Sequence, residues 1–116
     1  MSVSFACKKV DIKDLIMCSF DFTKTEFKLF DFLVGKDKKT YTVVDLANNV
    51  DLDRTSVQRA LKKLVEKKIV ERRAKNMDSG GFYYIYKIQH KEDIKDRLRD
   101  NMASWYKTAD NYIVGW

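Results

Sequence analysis

The chain has 116 residues, of which 45% are hydrophobic and 34% are charged. This length suffices for one compact domain with a single core, so we expect one domain over residues 1–116. The 23 Lys and Arg residues outnumber the 17 Asp and Glu residues and leave a formal net charge of +6. Such a chain favours a polyanionic partner, because Coulomb attraction and counterion release both favour its binding. Composition alone leaves nucleic acid and an anionic membrane surface as alternatives.

The first residues and the two cysteines indicate the compartment. The stretch MSVSFACKKVDIKDL lacks the continuous apolar region of a secretory signal, and no apolar run approaches the length of a membrane span. Cys7 and Cys18 are therefore expected as free thiols in a reducing environment. We expect a cytoplasmic protein without a membrane partner.

Four helices are predicted before residue 69. Apolar residues at helical spacing predict a short N-terminal helix over residues 11–18. A second helix starts at a capping box and is expected to end at Gly35 in the left-handed conformation. Thr42 caps a short third helix, which Asn48 and Asn49 close. In the capping box of the second helix, Thr23 is the N-cap and Glu26 is its reciprocal partner.

The fourth helix follows a tight turn between Val50 and Leu52. Asp53 is its expected N-cap, and it runs to about residue 68. Its apolar positions recur at helical spacing and predict one buried stripe. The stripe comprises Val57, Ala60, Leu61, Leu64 and Val65.

A β-hairpin and a long helix complete the chain. The runs IVERRAK and FYYIYKI are typical of strands, and NMDSGG between them supplies turn residues, so residues 69–88 predict a hairpin with a loose tip. We expect its aromatic return strand, Phe82, Tyr83, Tyr84 and Tyr86, to be mostly core packing. Residues 91–112 predict a helix whose narrow apolar seam requires a partner helix. The seam comprises Ile94, Leu98, Asn101, Met102, Trp105, Ala109 and Tyr112.

This order of elements is that of a winged helix-turn-helix, a mainly α (α+β) fold. We expect its core over residues 23–88, flanked by the N-terminal helix and by a C-terminal dimerisation helix. The helix of about residues 53–68 is then the recognition helix for the major groove. The hairpin of residues 69–88 is the wing.

The face of the fourth helix opposite Val57 carries residue types that read DNA. Arg can form a bidentate hydrogen bond with guanine, Gln can do so with adenine, and Ser or Thr can hydrogen-bond phosphates or base edges. The free N–H groups at the helix start are expected to favour a phosphate. At about 100° per residue from Val57, the side chains of Thr55, Arg59 and Lys62 project oppositely, Ser56, Gln58 and Lys63 lie on the flanks, and Arg54 is in the first turn. We predict DNA contacts from Arg54, Thr55, Ser56, Gln58, Arg59 and Lys62.

The charge is concentrated in one segment. From residue 54 to 75, nine Lys and Arg residues stand against two Glu. A merely solvated helix face is the plain alternative, but the position between a tight turn and a wing favours nucleic acid. The wing is expected to contact phosphates or the minor groove, the alternative being a hairpin that only packs on the core. Its predicted contact residues are Arg72, Arg73, Lys75 and Asn76.

The segment DLANNVDLDRTSVQRALKKLVEKKIVERR (residues 45–73) resembles archaeal TrmB-like and MarR-like winged helix regulators. The segments MCSF, SGGFYYIYK and DRLRDNMASWY are similar to a compact single-domain subgroup, so the resemblance covers nearly the whole chain. It implies a homodimer held by the terminal helices, two recognition helices in successive major grooves of a palindromic site, and no catalysis. By position it assigns DNA reading to Arg54, Thr55, Ser56, Gln58 and Arg59, and backbone contacts to Arg72, Arg73 and Lys75.

The larger TrmB regulators carry a C-terminal sugar-binding domain that this sequence lacks, so sugar sensing is not expected and the effector is unknown. Cys18, with Cys7, is a candidate redox switch, because an intersubunit disulfide there would change the spacing of the recognition helices. The alternative is that Cys18 is a buried hydrophobic side chain. The predicted dimer interface comprises Leu15, Ile94, Leu98, Met102, Trp105 and Tyr112.

Two classes of function fit this pattern. The first is a homodimeric, sequence-specific transcriptional regulator that binds double-stranded DNA. The alternative is a winged-helix protein-interaction module or a non-specific chromatin-type DNA-binding module. His90 and two distant cysteines make no metal set, and no catalytic or cofactor motif is present, so we expect no enzyme activity, no metal and no cofactor. We expect His90 at the junction between the hairpin and the last helix.

Overall fold

The computed structural model describes residues 1–36 and 38–116. Within these ranges it contains five helices and two small antiparallel sheets, and it confirms the predicted mainly α (α+β) winged helix-turn-helix class. No helix in the described residues is long and apolar enough to cross a membrane. The elements are β1 (Ser2–Ser4), β2 (Lys9–Asp11), α1 (Ile12–Phe20), α2 (Lys24–Val34), α3 (Val43–Val50), α4 (Arg54–Glu66), β3 (Val70–Asn76), β4 (Phe82–Ile88) and α5 (Lys91–Val114).

The chain forms two compact units. One, here called the winged unit, spans Thr23–Lys91 and contains α2, α3, α4 and the β3–β4 hairpin. Its bounds lie close to those predicted for the winged core. The other, here called the terminal unit, combines Met1–Phe22 with Glu92–Trp116. The expectation of one domain over the whole chain stays a prediction.

The winged unit has an apolar core lined by its three helices and the base of the hairpin. Leu29 and Leu33 of α2 and Leu46 of α3 are fully buried. Helix α4 contributes the predicted stripe, of which Val65 alone is only half-buried. The fully buried residues of this stripe are Val57, Leu61 and Leu64. Ile69 and Val70, which follow the helix, are also fully buried.

The helix ends differ in part from the prediction. Gly35 has φ −88°, so the predicted left-handed cap is wrong. The chain instead leaves α2 through a turn in which the Lys36 N–H donates to the Leu33 carbonyl at 2.8 Å, a geometry that needs no left-handed residue. Helix α3 continues through Asn48 and Asn49 and ends at Asp51, whose φ of 54° makes the tight turn before α4. Aspartate tolerates this conformation better than most residues.

A buried ion pair joins the start of α2 to the end of α4. The predicted capping box is confirmed, since Glu26 N–H donates to Thr23 Oγ1 and Glu26 Oε2 accepts from the Thr23 hydroxyl at 2.7 Å. The other oxygen of Glu26, a residue only 4% exposed, accepts from Lys67 Nζ at 2.6 Å. Burial raises the pKa of Glu26, but the bonds from Lys67 and Thr23 outweigh it and hold that pKa below its ordinary value of 4.5.

The wing is a regular antiparallel hairpin with seven paired residues in each strand. The Gln89 N–H closes its base on the Ile69 carbonyl, and Tyr41 forms a two-bond bridge with Tyr86 that ties β4 to the chain just before α3. The tip is not loose as predicted, because Gly80 N–H donates to the Met77 carbonyl and Met77 N–H donates to the Gly81 carbonyl. Gly80 has φ +93° and Gly81 has φ +77°, conformations in which a side chain would be strained.

The terminal unit contains a hairpin that the sequence did not predict. Strands β1 and β2 have three residues each, too few for a recognisable alternation. Helix α1 begins after Asp11, whose side chain accepts from the Lys13 N–H, and it extends two residues beyond the predicted end. Helix α5 also extends to Val114, and Asn101 in its middle donates to Ser19 Oγ at 2.6 Å.

The ion pair generates a prediction about stability. Lys67→Met leaves the buried Glu26 carboxylate without its cation and should cost about 3 kcal/mol of unfolding free energy, measured by urea denaturation at neutral pH. Glu26→Gln keeps a capping-box side chain and should cost only about 1 kcal/mol. Equal losses in the two variants would contradict this account.

The pH dependence follows from the lowered pKa of Glu26. Its ionised form stabilises the fold at pH values above 4.5, and that contribution is lost as the pH falls through the lower folded-state pKa. In Lys67→Met, burial dominates and the pKa of Glu26 rises, so acid unfolding should begin at a higher pH than in the wild type.

Candidate nucleic-acid interface

Helix α4 is fixed at its start by Asp53. As predicted, this residue is the N-cap: one carboxylate oxygen accepts from the Ser56 N–H at 3.1 Å, and the other accepts from the Ser56 hydroxyl at 2.6 Å. These bonds hold the pKa of Asp53 below its ordinary value. The Asp53 carboxylate occupies the Ser56 N–H, so a phosphate at this helix start would have to bind the other free N–H groups of the first turn, and that expectation stays a prediction. The Ser56 hydroxyl, assigned to DNA in the prediction, is engaged in the cap.

The exposed face of α4 lies opposite its buried stripe, as the 100° step predicted. Val57 has no exposed surface, whereas the predicted polar residues are exposed, apart from the half-buried Ser56. Within residues 1–36 and 38–116, no hydrogen bond or ion pair occupies the side chains of Arg54, Gln58 or Lys62. This face, here called the α4 face, comprises Arg54, Thr55, Gln58, Arg59 and Lys62.

The size of α4 suits the major groove of DNA. Its 13 residues give a length of about 20 Å, and a helix with side chains is about 10–12 Å wide. The major groove is about 12 Å wide and admits one helix. The winged unit carries sixteen Lys and Arg residues against nine Asp and Glu, a formal charge of +7, so the remainder of the chain carries −1. The net positive charge of the protein therefore belongs to the unit that presents α4.

The two faces of the wing differ in chemistry. Side chains alternate along each strand, so Arg73, Lys75 and Lys87 share one face with Glu71, Tyr83 and Ile85. Glu71 pairs with Arg73 through a 2.7 Å contact between Oε1 and Nε. We call this the basic face of the wing. It contains Arg73 and Lys75 of the predicted DNA-contacting residues, together with Lys87, which the prediction did not include.

The other face of the wing begins in the core and continues beyond it. Val70 and Ile88 are buried at the base, followed across the hairpin by the pairs Arg72–Tyr86, Ala74–Tyr84 and Asn76–Phe82. Tyr86 is buried, and burial raises its pKa. The exposed remainder, here called the aromatic face, comprises Arg72, Ala74, Asn76, Phe82 and Tyr84.

The expectation that the return-strand aromatics mostly pack on the core is wrong for three of the four. Phe82 is 57% exposed, and Tyr83 and Tyr84 are also exposed. The strands are longer than the core that they cover, so only the pairs nearest the base are buried. The sequence signal for this was the length of FYYIYKI, whose seven residues include only two, Tyr86 and Ile88, that are buried in the core. Arg72 lies over the Tyr84 ring, with Cζ 4.4 Å from the centroid.

The predicted dimer residues divide into two groups. Ile94 is only 3% exposed within its own chain, so it has almost no surface to offer a partner. Leu15, Leu98 and Met102 are half-buried. Further along α5, Trp105 and Tyr112 are exposed, in a stretch that also exposes Tyr106, Ile113, Val114 and Trp116.

The sequence also led to expectations about the two cysteines and the histidine. Cys7 and Cys18 are free and both exposed, so the alternative of a buried Cys18 is wrong. His90 lies between β4 and α5, at the junction where it was expected. The described residues contain no group of three or more His, Cys, Asp or Glu side chains that could hold a metal ion.

Comparisons with known proteins agree with this geometry. Residues 17–92 match the family described as the sugar-specific transcriptional regulator TrmB. An uncharacterized protein of Methanocaldococcus jannaschii is 30% identical over 108 residues, which cover 92% of this chain and 87% of that protein. A solved structure described as a possible transcriptional regulator from Methanosarcina mazei Go1 is 31% identical, with a TM-score of 0.89 over 100% of this chain and 97% of that chain.

A more distant structure shares the fold alone. The crystal structure of the S. aureus MepR–DNA complex is 18% identical to this chain and has a TM-score of 0.57 over 86% of this chain and 82% of that one. That protein is bound to DNA in its crystal.

The N-cap of α4 can be tested by NMR. Ser56→Ala removes the hydroxyl that donates to Asp53, so the pKa of that carboxyl should rise toward its ordinary value. A carbon-detected titration of the Asp53 carboxyl in both proteins measures the change. Thr55→Ala, which leaves the cap intact, is the matched control, and an unchanged Asp53 titration in Ser56→Ala would refute the assignment.

Proposed function

The chain belongs to the TrmB family of transcriptional regulators, and on this premise we propose that it regulates transcription as a homodimer that binds double-stranded DNA sequence-specifically. The recognition element is α4, whose exposed face reads base edges in the major groove. The wing contacts the DNA backbone or the minor groove beside it.

The observation that carries this proposal is the contrast between the two sides of α4. One side is fully buried and fixes the helix on the core, while the α4 face presents two arginines, a lysine, a glutamine and a threonine to solvent. A protein-interaction module has no need of that basic set, whereas a DNA reader needs both its charge and its hydrogen-bonding groups. The DNA-bound neighbour of the same fold supports the choice of DNA as partner.

The basic face of the wing supports a backbone role. Arg73, Lys75 and Lys87 add three cations on a hairpin whose strands extend about 23 Å at about 3.3 Å per residue. Cations at this reach attract phosphates without reading sequence. We assign Arg73 and Lys75 to this role.

Base reading by α4 predicts a defined loss in one variant. Arg59→Ala should weaken binding by about 1 to 3 kcal/mol on a duplex selected from a random pool, because a bidentate contact with a base is lost. On a scrambled duplex of the same composition the loss should be much smaller. Fluorescence anisotropy at fixed salt concentration measures both affinities.

The matched control is Arg99→Ala, which removes the same charge from an exposed position of α5 in the terminal unit. It should leave both affinities nearly unchanged. Equal weakening of the selected and scrambled duplexes by Arg59→Ala would favour a non-specific, chromatin-type binder. Absence of salt-sensitive binding to any duplex would favour a protein-interaction module.

The basis for proposing a homodimer is the size and the exposed surface of the terminal unit. Its roughly 50 residues are fewer than the 60 or so with which a chain begins to bury an adequate core, and much of its apolar surface is exposed. The exposed aromatic and aliphatic side chains at the end of α5 form the kind of patch that marks a protein interface. A second copy of α5 would cover this patch. The resulting dimer would present two α4 helices to one duplex.

A single charge tests this interface. Tyr112→Lys introduces a cation at a side chain that is 73% exposed, so the fold should persist while the dimer dissociates. Sedimentation equilibrium should give the monomer mass of 13.7 kDa, and twice that mass for the wild type. Tyr83→Lys, on the wing, should remain dimeric. A wild-type protein that sediments as a monomer would refute the homodimer.

A redox response remains a prediction for this regulator. Cys7 and Cys18 are exposed and therefore accessible to an oxidant. An effect of oxidation on DNA affinity that Cys18→Ser abolishes would support it.

A further inference from the structure

The aromatic rings of the aromatic face are not used by the proposed duplex contacts, which come from the α4 face and the basic face of the wing. The apolar side chains of the aromatic face continue the core-facing side of the hairpin past the end of the core, where they meet solvent. Phe82 and Tyr84 are large, adjacent and exposed, and they are held on a fully paired hairpin. Exposed apolar side chains grouped in this way are a feature of binding surfaces. We propose that the aromatic face stacks on unpaired nucleobases and gives the protein a second activity, the binding of single-stranded DNA.

The rings of this face are already held in place. Phe82 and Tyr84 meet edge to face with centroids 5.3 Å apart, and the Arg72 guanidinium lies over the Tyr84 ring at 4.4 Å. The Arg72 side chain also donates a hydrogen bond to the hydroxyl of Tyr86, its partner across the hairpin. Side chains that are ordered before binding lose little conformational entropy when a ligand docks. Because the Arg72 guanidinium covers one side of the Tyr84 ring, a flat ligand would stack on the exposed Phe82 ring and on the outer side of that guanidinium.

The opposite strand leaves room beside the rings. Ala74 stands directly across from Tyr84 and is the smallest side chain of the face. It lies between Arg72 and Asn76 along the strand. A guanidinium plane stacks on bases, and an amide both donates and accepts hydrogen bonds at a base edge. An aromatic ring with these two neighbours matches the groups that hold a nucleobase.

Charge identifies a nucleic acid as the occupant. The basic face lies on the reverse side of the same strands, and the segment from residue 54 to 75 carries nine cations against two anions. Proteins that bind single strands combine such a field for the backbone with aromatic side chains for the bases. Bases in an intact duplex are stacked on one another, so only an unpaired strand offers base surfaces to these rings. A free nucleotide has the same base but lacks the extended backbone that the cations would attract.

The first experiment uses the wild-type protein alone. Anisotropy compares a labelled oligothymidylate of about 12 nucleotides with an abasic strand of equal length and charge. Stacking predicts that the base-containing strand binds at least about fivefold more tightly, since each stacked base contributes about 1 to 3 kcal/mol. Equal affinities would mean that only phosphates are bound and would overturn the proposal. Thymidine monophosphate should compete only weakly, and strong competition would overturn the choice of a strand.

Two variants locate the activity. Phe82→Leu keeps an apolar side chain but removes the ring, and it should abolish the preference for the base-containing strand, as should Tyr84→Leu. Phe5→Leu is the matched control, because Phe5 is also 57% exposed but lies in the terminal unit, and it should preserve the preference. Thermal unfolding verifies that each variant is folded.

The outcome is separable from the proposed duplex function. Arg59→Ala should weaken the selected duplex without changing the preference for bases in a single strand, and Phe82→Leu should do the reverse. If Phe82→Leu weakens only the duplex, the ring acts as a wedge in the minor groove and the proposal fails. If it instead lowers the sedimentation mass, a second copy covers the face and the proposal also fails.

Discussion

The geometry of the winged unit depends on the buried pair between Glu26 and Lys67. Glu26 completes the capping box that starts α2, and its second oxygen holds the residue at which α4 ends. The next residue, Lys68, adopts the left-handed conformation, and the chain passes from there into β3. One carboxylate thus fixes the start of one core helix, the end of the recognition helix and the point where the wing begins. In the proposed complex α4 and the wing contact the same duplex, and the position of this pair sets the spacing between them.

Local chemistry made much of this fold predictable. Capping boxes and N-caps depend on residues three positions apart, so Thr23, Thr42 and Asp53 could be assigned without tertiary information. The exposed face of α4 followed from the period of its buried stripe. The partner of Glu26 could not be inferred, because Lys67 lies 41 residues away and is one of many lysines. The hairpin of β1 and β2 was missed since three-residue strands carry no period.

The wing shows which property of the site the sequence pattern could not predict, namely which of its side chains are buried. The aromatic, β-rich composition of FYYIYKI correctly predicted a strand, but that composition is the same whether the inner face of the strand meets a core or extends past one. Only the register with β3 and the extent of the core decide that Tyr86 is buried while Tyr84 and Phe82 are exposed. The seam of α5 has the same ambiguity. Its first residue is buried within the chain and its later ones are exposed, although all share one spacing.

The two faces of the wing and the α4 face give the winged unit three chemically distinct surfaces. The first attracts phosphates, the second presents rings, and the third combines charge with side chains that can read base edges. They all lie in one unit of formal charge +7, whereas the terminal unit carries −1. Under the proposed function, DNA contact therefore belongs to the winged unit and dimer assembly to the terminal unit.

Methylation interference on a selected duplex tests most directly whether the α4 face reads the major groove. Guanine N7 lies in the major groove and adenine N3 in the minor groove, so methyl groups at the two positions report on different surfaces. The account predicts that N7 methylation blocks binding at two clusters of guanines about 10 base pairs apart, one for each α4 of the dimer. Binding that N7 methylation leaves unchanged throughout the duplex would contradict it.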